Sequence, residues 1–322
     1  MFEGKKILIT GGTGSLGQAL TRRLLQSNVE TIRIFSRNEN KQVQMESELA
    51  DDRLRFLIGD VRDLPRLIKA LEDIDIVFHA AALKHVPVIE YNPFEAIKTN
   101  VVGSQNVIDA CLHENVEAAI CIGTDKAVSP LNTYGATKLL MEKLFVTAMN
   151  YINKEKYRTK FVALRYGNVL GSSGSVVPKF IQQIKSKKKI TITDPSMTRY
   201  SLTMEEALDF VVNATQISKG GEIFVPKLLK AYSITDLKLA LIELLGAADE
   251  EIISPRPGEK MHEALISEDE MRYTWEFNDN YVIFNADRKE EDIRKWYPNI
   301  KKADSAKPYS SDLAEKMSVK EI

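Results

Sequence analysis

Short apolar runs alternate with stretches of helical periodicity through the first half of the chain. Residues 5–10, 31–35, 54–58, 74–79, 118–122 and 161–165 each read as a buried strand. Residues 18–27, 64–71, 93–114 and 133–151 read as helices between them, the last with Leu139, Leu140, Leu144 and Val146 as core candidates. This alternation predicts an α/β fold with a doubly wound parallel sheet. The second half is less regular. Helices are expected at 177–185, 203–217 and 234–245, strands at 190–193 and 222–225, and a turn over Arg256-Pro257-Gly258-Glu259-Lys260. The tail past Tyr297 is polar and reads as mostly irregular. No repeat or low-complexity linker separates the halves. Residues 1–165 are expected as a nucleotide-binding domain to which 200–226 return, and 166–322 as a smaller substrate lobe built by insertion.

The first turn gives this sheet a ligand. Gly11-Gly12-Thr13-Gly14-Ser15-Leu16-Gly17 stands between a strand and a helix, with Gly11, Gly14 and Gly17 spaced G-x-x-G-x-x-G. Such a turn lets backbone approach a pyrophosphate and aims helix N–H groups at it. The second strand ends in Ser36-Arg37-Asn38, with Lys41 soon after, where NAD-specific sites place an acidic residue. A guanidinium suits a 2′-phosphate, so Arg37 favours NADP over NAD. Asp60, in Gly59-Asp60-Val61-Arg62-Asp63, is placed to bond the adenine amino group, and Asp63 to cap the next helix. Ala80-Ala81-Ala82 leaves room for a cofactor over a strand end, ahead of Lys84 and His85, and Asn100 falls on a helix face turned toward it.

Composition narrows the class. The 322 residues carry a formal net charge of -1, with 44% hydrophobic and 28% charged residues, which argues against a nucleic-acid or anionic-membrane binder. The N-terminus carries no signal peptide pattern, and no apolar run is long enough to span a bilayer, so a soluble cytoplasmic protein is expected. The two cysteines, Cys111 and Cys121, fall in apolar patterns and read as buried free thiols; no metal site is expected.

The chemistry centres on Thr124-Asp125-Lys126 and Asn132-Thr133-Tyr134-Gly135-Ala136-Thr137-Lys138. Tyr134 and Lys138 are i and i+4 on a helix and share a face. A phenol with a pKa of about 10 is a poor base, and a nearby ammonium favours its phenolate. With Thr124 placed on the same hydroxyl, this trio fits hydride removal from a secondary alcohol. Asp125 and Lys126 add an acid and a base that alcohol oxidation does not use. Because they adjoin, an ion pair would hold both in the wrong protonation states, so they are expected to titrate as coupled sites.

These motifs resemble the extended short-chain dehydrogenase/reductases. They are most similar to UDP-N-acetylglucosamine 4,6-dehydratases of the C5-inverting, pseudaminic-acid-pathway type. The resemblance is carried by TGGTGSLG at 10–17, GDVRD at 59–63, HAAALKHVP at 79–87, TDKAVSP at 124–130, NTYGATK at 132–138, RYGNVLGSSGSV at 165–176, ITDPSMTRY at 192–200 and RPGEKMHE at 256–263. His85 stands where many relatives have Gln.

The resemblance implies a Rossmann fold, bound NADP and UDP-N-acetylglucosamine as substrate. Tyr134 would take the C4 hydroxyl proton, Lys126 the C5 proton, and Asp125 would donate to the departing C6 hydroxyl. Hydride would return to C6, leaving the cofactor unchanged. The implied cofactor set is Gly11, Thr13, Gly14, Ser15, Leu16, Gly17, Ser36, Arg37, Asn38, Lys41, Asp60, Val61, Ala80, Ala81, Ala82, Lys84, Asn100, Tyr134, Lys138 and Val169. The implied substrate set is Lys84, Asn168, Ser175, Val176, Pro178, Thr193, Arg199, Arg256 and Glu259, with Arg199 and Arg256 clamping the diphosphate. The family implies a homo-oligomer, a hexamer among its forms. The competing readings are a UDP-hexose 4-epimerase, which has no work for Asp125-Lys126, a C5-retaining dehydratase, and a non-catalytic NADP-sensing protein, which should tolerate loss of Tyr134.

Overall fold

The structure, a computed structural model, describes residues 1–172, 174–255, 258–303 and 307–322. The chain opens with β1 (Lys6–Thr10), α1 (Ser15–Leu25), β2 (Thr31–Ser36), α2 (Glu39–Leu49), β3 (Leu54–Ile58), α3 (Leu64–Leu71) and β4 (Ile76–His79). It continues through α4 (Val86–Tyr91), α5 (Pro93–Ala96), a π-helical segment Ile97–Val102 and α6 (Gly103–His113) to β5 (Ala118–Ile122). A 3-10 turn Asp125–Ala127, α7 (Thr133–Tyr151) and β6 (Lys160–Leu164) follow. The second half holds α8 (Val176–Lys185), β7 (Ile190–Ile192), β8 (Thr198–Tyr200), α9 (Met204–Ile217), β9 (Ile223–Pro226), β10 (Ala231–Ser233), α10 (Ile234–Leu245) and β11 (Glu250–Ile252). It ends with β12 (Ala264–Ile266), α11 (Glu268–Met271), β13 (Thr274–Phe277), β14 (Asn280–Ile283), α12 (Glu290–Trp296), β15 (Lys301–Lys302) and β16 (Tyr309–Ser310).

Among the described residues the main sheet has ten strands, ordered β15-β13-β14-β9-β6-β5-β4-β1-β2-β3. From β9 to β3 every pairing is parallel. Strands covered on both faces must be apolar on both, and Ile7, Leu8 and Ile9 are fully buried in turn. The winding reverses at β1, which has β2 on one side and β4 on the other. Ligands bind in such sheets at the carboxyl ends beside this reversal, and the turns after β1, β4 and β5 meet there.

Four features depart from the expected elements. The helix expected over 93–114 is interrupted by the π turn at Ile97–Val102. A helix absent from the reading, α2, buries only Gln42 and Met45, too thin a stripe to show as periodicity. Strands β13, β14 and β15, from the segment assigned to the substrate lobe, extend the main sheet beyond β9, so a division at 165 does not follow the sheet. The tail past Tyr297 is not wholly irregular, since β15 pairs with β13 and β16 with β12. Among the described residues no helix is long and apolar enough to cross a membrane.

Candidate active site

The glycine turn is fixed by close approach. Gly11 has φ 66°, and a Cβ there would lie 2.8 Å from the Ala81 nitrogen. Only glycine meets both conditions. Gly14 puts no side-chain cap on α1, so the first N–H groups of that helix are left for a ligand. A cavity of about 670 Å³ runs from this turn, past the ends of β2 and β3, to Tyr134 and Asn168. Every residue of the expected cofactor set lines it except Asn100.

Asn100 is fully buried and spends its amide on the chain. Its Oδ1 accepts from the Leu83 N–H at 2.8 Å, and Nδ2 donates to the Leu83 carbonyl and to Thr137 Oγ1, both at 3.0 Å. It therefore ties the segment after β4 to α7 from within the π turn, and it does not line the cavity.

At the far end of the cavity, Gln42 Nε2 donates to the Ser36 carbonyl at 3.1 Å and to the Leu57 carbonyl at 3.0 Å, fixing the end of β2. Arg37 projects beyond it, half exposed, with its guanidinium 3.7 Å from Asp60. Asp60 also accepts from Arg62 at 2.7 and 3.0 Å. Burial disfavours the Asp60 charge, but Arg62 and Arg37 outweigh it and hold the carboxyl below its usual range. The residue expected to meet adenine is thus already engaged by arginines.

The catalytic candidates converge after β5. Thr124 caps the 3-10 turn, and its hydroxyl donates to Asp125 Oδ1 at 2.8 Å. Lys126 Nζ donates to the same oxygen at 2.9 Å. Asn132 accepts from the Gly135 N–H at 2.8 Å, starting α7 so that Tyr134 stands in its first turn. Gly135 is required there, because a Cβ would strike the Lys126 carbonyl. Thr124 and the Tyr134 phenol line the same cavity, and Thr124 favours the phenolate. Lys138 is buried beneath, donating to the Ile122 carbonyl at 2.5 Å.

The electrostatics follow from burial and charge. Burial raises the Tyr134 pKa, and the Lys126 charge works against that rise. Burial lowers the pKa of Lys138. Burial also opposes the Lys126 ammonium, but Asp125, Glu263 and Tyr134 outweigh it and hold its pKa above the ordinary lysine value. The resting site thus contains an Asp125–Lys126 ion pair, the arrangement that would hold both groups in the wrong protonation states for the expected acid and base roles.

A second cavity, of about 330 Å³, opens beside the first and shares Lys84, His85, Lys126, Asn168 and Ser175 with it. Of the expected substrate set, Lys84, Asn168, Ser175, Val176, Thr193, Arg199 and Glu259 line it. Pro178 lines neither cavity, and Arg256 lies outside the described residues. Arg199 spends part of its guanidinium on backbone, donating to the carbonyls of Thr198 at 2.7 Å, Met261 at 3.0 Å and Lys260 at 3.0 Å. With Nη2 also donating to Met197 Sδ at 3.6 Å, one N–H group, on Nε, is left for a diphosphate, out of the five a guanidinium carries. Burial and the Lys126 charge lower the Lys84 pKa.

One residue here was not singled out from the sequence. Glu263 lines the smaller cavity, and its Oε1 lies 3.8 Å from Lys126 Nζ. It closes the RPGEKMHE segment, but nothing in chain order links it to Lys126. Asp125 Oδ2, Asn168 Oδ1, Ser175 Oγ and Glu263 Oε2 are buried with no hydrogen-bond partner among the described residues. Unpartnered buried oxygens cost about 1–3 kcal/mol each, and those of Asn168, Ser175 and Glu263, which line the smaller cavity, mark where a polar ligand would bond. Among the described residues, no His/Cys/Asp/Glu cluster could hold a metal ion.

Residues 7–285 match the family model described as polysaccharide biosynthesis protein. The chain belongs to this family. Within it, the chain is 49% identical to a protein named UDP-N-acetylglucosamine 4,6-dehydratase (inverting) from Campylobacter jejuni, over 88% of this chain and 84% of that one. It is 41% identical to a protein named UDP-glucose 4-epimerase from Rickettsia felis, over 100% of this chain and 95% of that one. A solved structure described as Pen from Bacillus thuringiensis superposes with a TM-score of 0.90 at 40% identity, covering 99% of this chain and 97% of that one. The polysaccharide biosynthesis family thus includes relatives named for elimination of water and for epimerisation, and the site residues must decide between them.

Proposed function

We propose that this protein is a UDP-N-acetylglucosamine 4,6-dehydratase that inverts C5 and works with bound NADP. The observation that carries this reading is the ion pair of Lys126 and Asp125 at 2.9 Å, in the turn that also places Thr124 against Tyr134. A redox trio alone serves epimerisation; the added amine and carboxyls supply the base and the acid that loss of water requires.

The residues of the larger cavity would hold NADP, whose chemistry there would be reversible hydride transfer with the sugar. The glycine turn and the open start of α1 fit its pyrophosphate, and Arg37 and Lys41 fit a 2′-phosphate. The chain supplies the proton chemistry. Tyr134, steadied by Thr124, takes the proton from the C4 hydroxyl. The ketone formed at C4 acidifies C5. Lys126, once it has passed a proton to Asp125, removes the C5 proton, and Asp125, in the role that the resemblance implies, protonates the departing C6 hydroxyl. The sugar would lie in the smaller cavity against Lys84 and Asn168, with its diphosphate toward Arg199.

Incubation with UDP-N-acetylglucosamine followed by NMR of the product tests this reading. The expected product is the 4-keto-6-deoxy sugar with L-arabino configuration. A second reading, UDP-hexose 4-epimerase, is favoured by the relative matched over the full chain; a product that keeps its C6 hydroxyl would establish it instead.

A further inference from the structure

Thr10, His79, Ser104, Asn100 and Thr137 form one hydrogen-bonded set behind the larger cavity. The first four are fully buried and Thr137 nearly so, and none of them lines either cavity. Two backbone groups of fixed role bound the set around His79. The Ala81 N–H can only donate, and it donates to Thr10 Oγ1 at 3.2 Å. The Asn100 carbonyl can only accept, and it accepts from Ser104 Oγ at 2.5 Å. His79 lies between them, with Nδ1 2.7 Å from Thr10 Oγ1 and Nε2 3.0 Å from Ser104 Oγ. A hydroxyl has one proton to give. Ser104 gives its own to Asn100, so toward His79 it accepts, and Nε2 carries the ring proton. Burial and the Lys138 charge push the His79 pKa down to about 3, so the ring is neutral and Nδ1 is bare. Thr10 accepts from Ala81 and donates to that Nδ1. The ring also stacks on Phe145 at 5.6 Å, which fixes its plane.

The set joins two parts of the redox site. On one side Ala81 backs onto the glycine turn, and Ala80, Ala81, Ala82 and Leu83 line the larger cavity. On the other, the Asn100 amide bonds Leu83 and Thr137, and the Thr137 hydroxyl donates to the Tyr134 carbonyl at 2.9 Å. We propose that His79, as the neutral tautomer protonated on Nε2, is a positioning residue that holds the strand end beneath the cofactor in register with the turn of α7 that carries Tyr134. This rests on Tyr134 as the base of hydride removal, a step that the dehydratase and epimerase readings share. A buried polar network with every member paired rigidifies what it joins, and one with a member missing leaves groups unpaired. Reacting groups feel such shifts, because a misplacement of about 1 Å can cost about 10²-fold in rate.

The test breaks the set on either side of His79. Thr10→Val keeps the shape and removes the donor to Nδ1, and Ser104→Ala removes the acceptor of the Nε2 proton. Each should lower kcat by about 10-fold or more, a fraction of the cost of a full misplacement. KM for the UDP-sugar should not change, because the set does not reach the smaller cavity. Thr10→Ser returns the hydroxyl and should return kcat. The double variant Thr10→Val/Ser104→Ala breaks one chain of bonds twice, so it should be no slower than the slower single variant, whereas independent lesions would multiply. Multiplied losses, kcat unchanged in both single variants, a change confined to KM, or Thr10→Ser as slow as Thr10→Val would each overturn the proposal. Nitrogen NMR of the wild-type histidine rings at neutral pH tests the tautomer without any substitution. His79, the one histidine of the four that is not exposed, should show a proton on Nε2, shielded from exchange with water, and a bare Nδ1. A proton on Nδ1, alone or with Nε2, overturns the proposal even where the variants do not fold. A wild-type protein that turns over neither UDP-N-acetylglucosamine nor UDP-glucose refutes the functional readings instead, and the ring signal still decides the tautomer.

Discussion

Lys126 Nζ lies 2.9 Å from Asp125 Oδ1, a contact between chain neighbours. Consecutive helical side chains do not face each other. Here the extended Thr124 at φ -163° and the tight 3-10 turn bring the pair together. The amine is thereby stored as an ammonium beside the group that can relieve it of a proton. Lys126→Ala should lose dehydration by at least about 10²-fold, as expected for loss of a general base. NADP binding, proposed to rest on the glycine turn and Arg37, should remain. Wild-type product formed in D2O should carry deuterium at C5. Lys126→Ala turnover equal to wild type would refute the assignment.

In the proposed reaction hydride leaves C4 and returns at C6, so it never leaves the site. Turnover should therefore proceed without added reductant or oxidant. Absorbance at the reduced-nicotinamide band, followed against product by NMR, should not rise in proportion to product.

Arg37 is half exposed at the end of β2, with Asp60 at 3.7 Å the only acidic partner its guanidinium shows among the described residues. Arg37→Ala should weaken NADP more than NAD, by about 1.5–3 kcal/mol for one charge-assisted phosphate contact. Titration calorimetry with each cofactor measures the difference, and equal loss for both would reject the 2′-phosphate role.

Arg165 is fully buried and pairs with Glu142 and, at 2.9 Å, with Glu270. Removing one partner of a buried pair leaves uncompensated charge and costs about 3–5 kcal/mol. Glu142→Ala should lose stability on that order in urea unfolding. Glu290→Ala, which breaks the exposed pair with Arg294, should lose no more than about 0.5 kcal/mol.

The strands and the glycine turn were legible because their signals are local. Buried parallel strands read as apolar runs, and the turn demands glycine wherever backbone crosses backbone. The i, i+4 spacing of Tyr134 and Lys138 was legible for the same reason. Glu263 was not, because its meaning depends on a contact with Lys126 across well over a hundred residues. Asn100 was placed on the right helix, but its role turns on the π segment, which shifts the register of the helix face and leaves no mark in the apolar pattern. The division at 165 missed the hairpin of β13 and β14, whose pairing with β9 is set by tertiary packing and not by any composition change.

The Arg165 pairing has a consequence for how the sugar nucleotide gets in. Arg165 follows β6, Glu142 lies on α7 beyond Tyr134 and Lys138, and Glu270 lies on α11, a few residues after Glu263. The guanidinium therefore rivets the floor of the redox site to the wall that carries the carboxyl. A hinge that swung one half from the other would strip a buried cation of an anion at every turnover. Entry over the rim avoids this, and Gly174 and Gly258, both with positive φ, line the smaller cavity. The enzyme is built to admit its substrate at the edge and to keep its reacting groups on one rigid body.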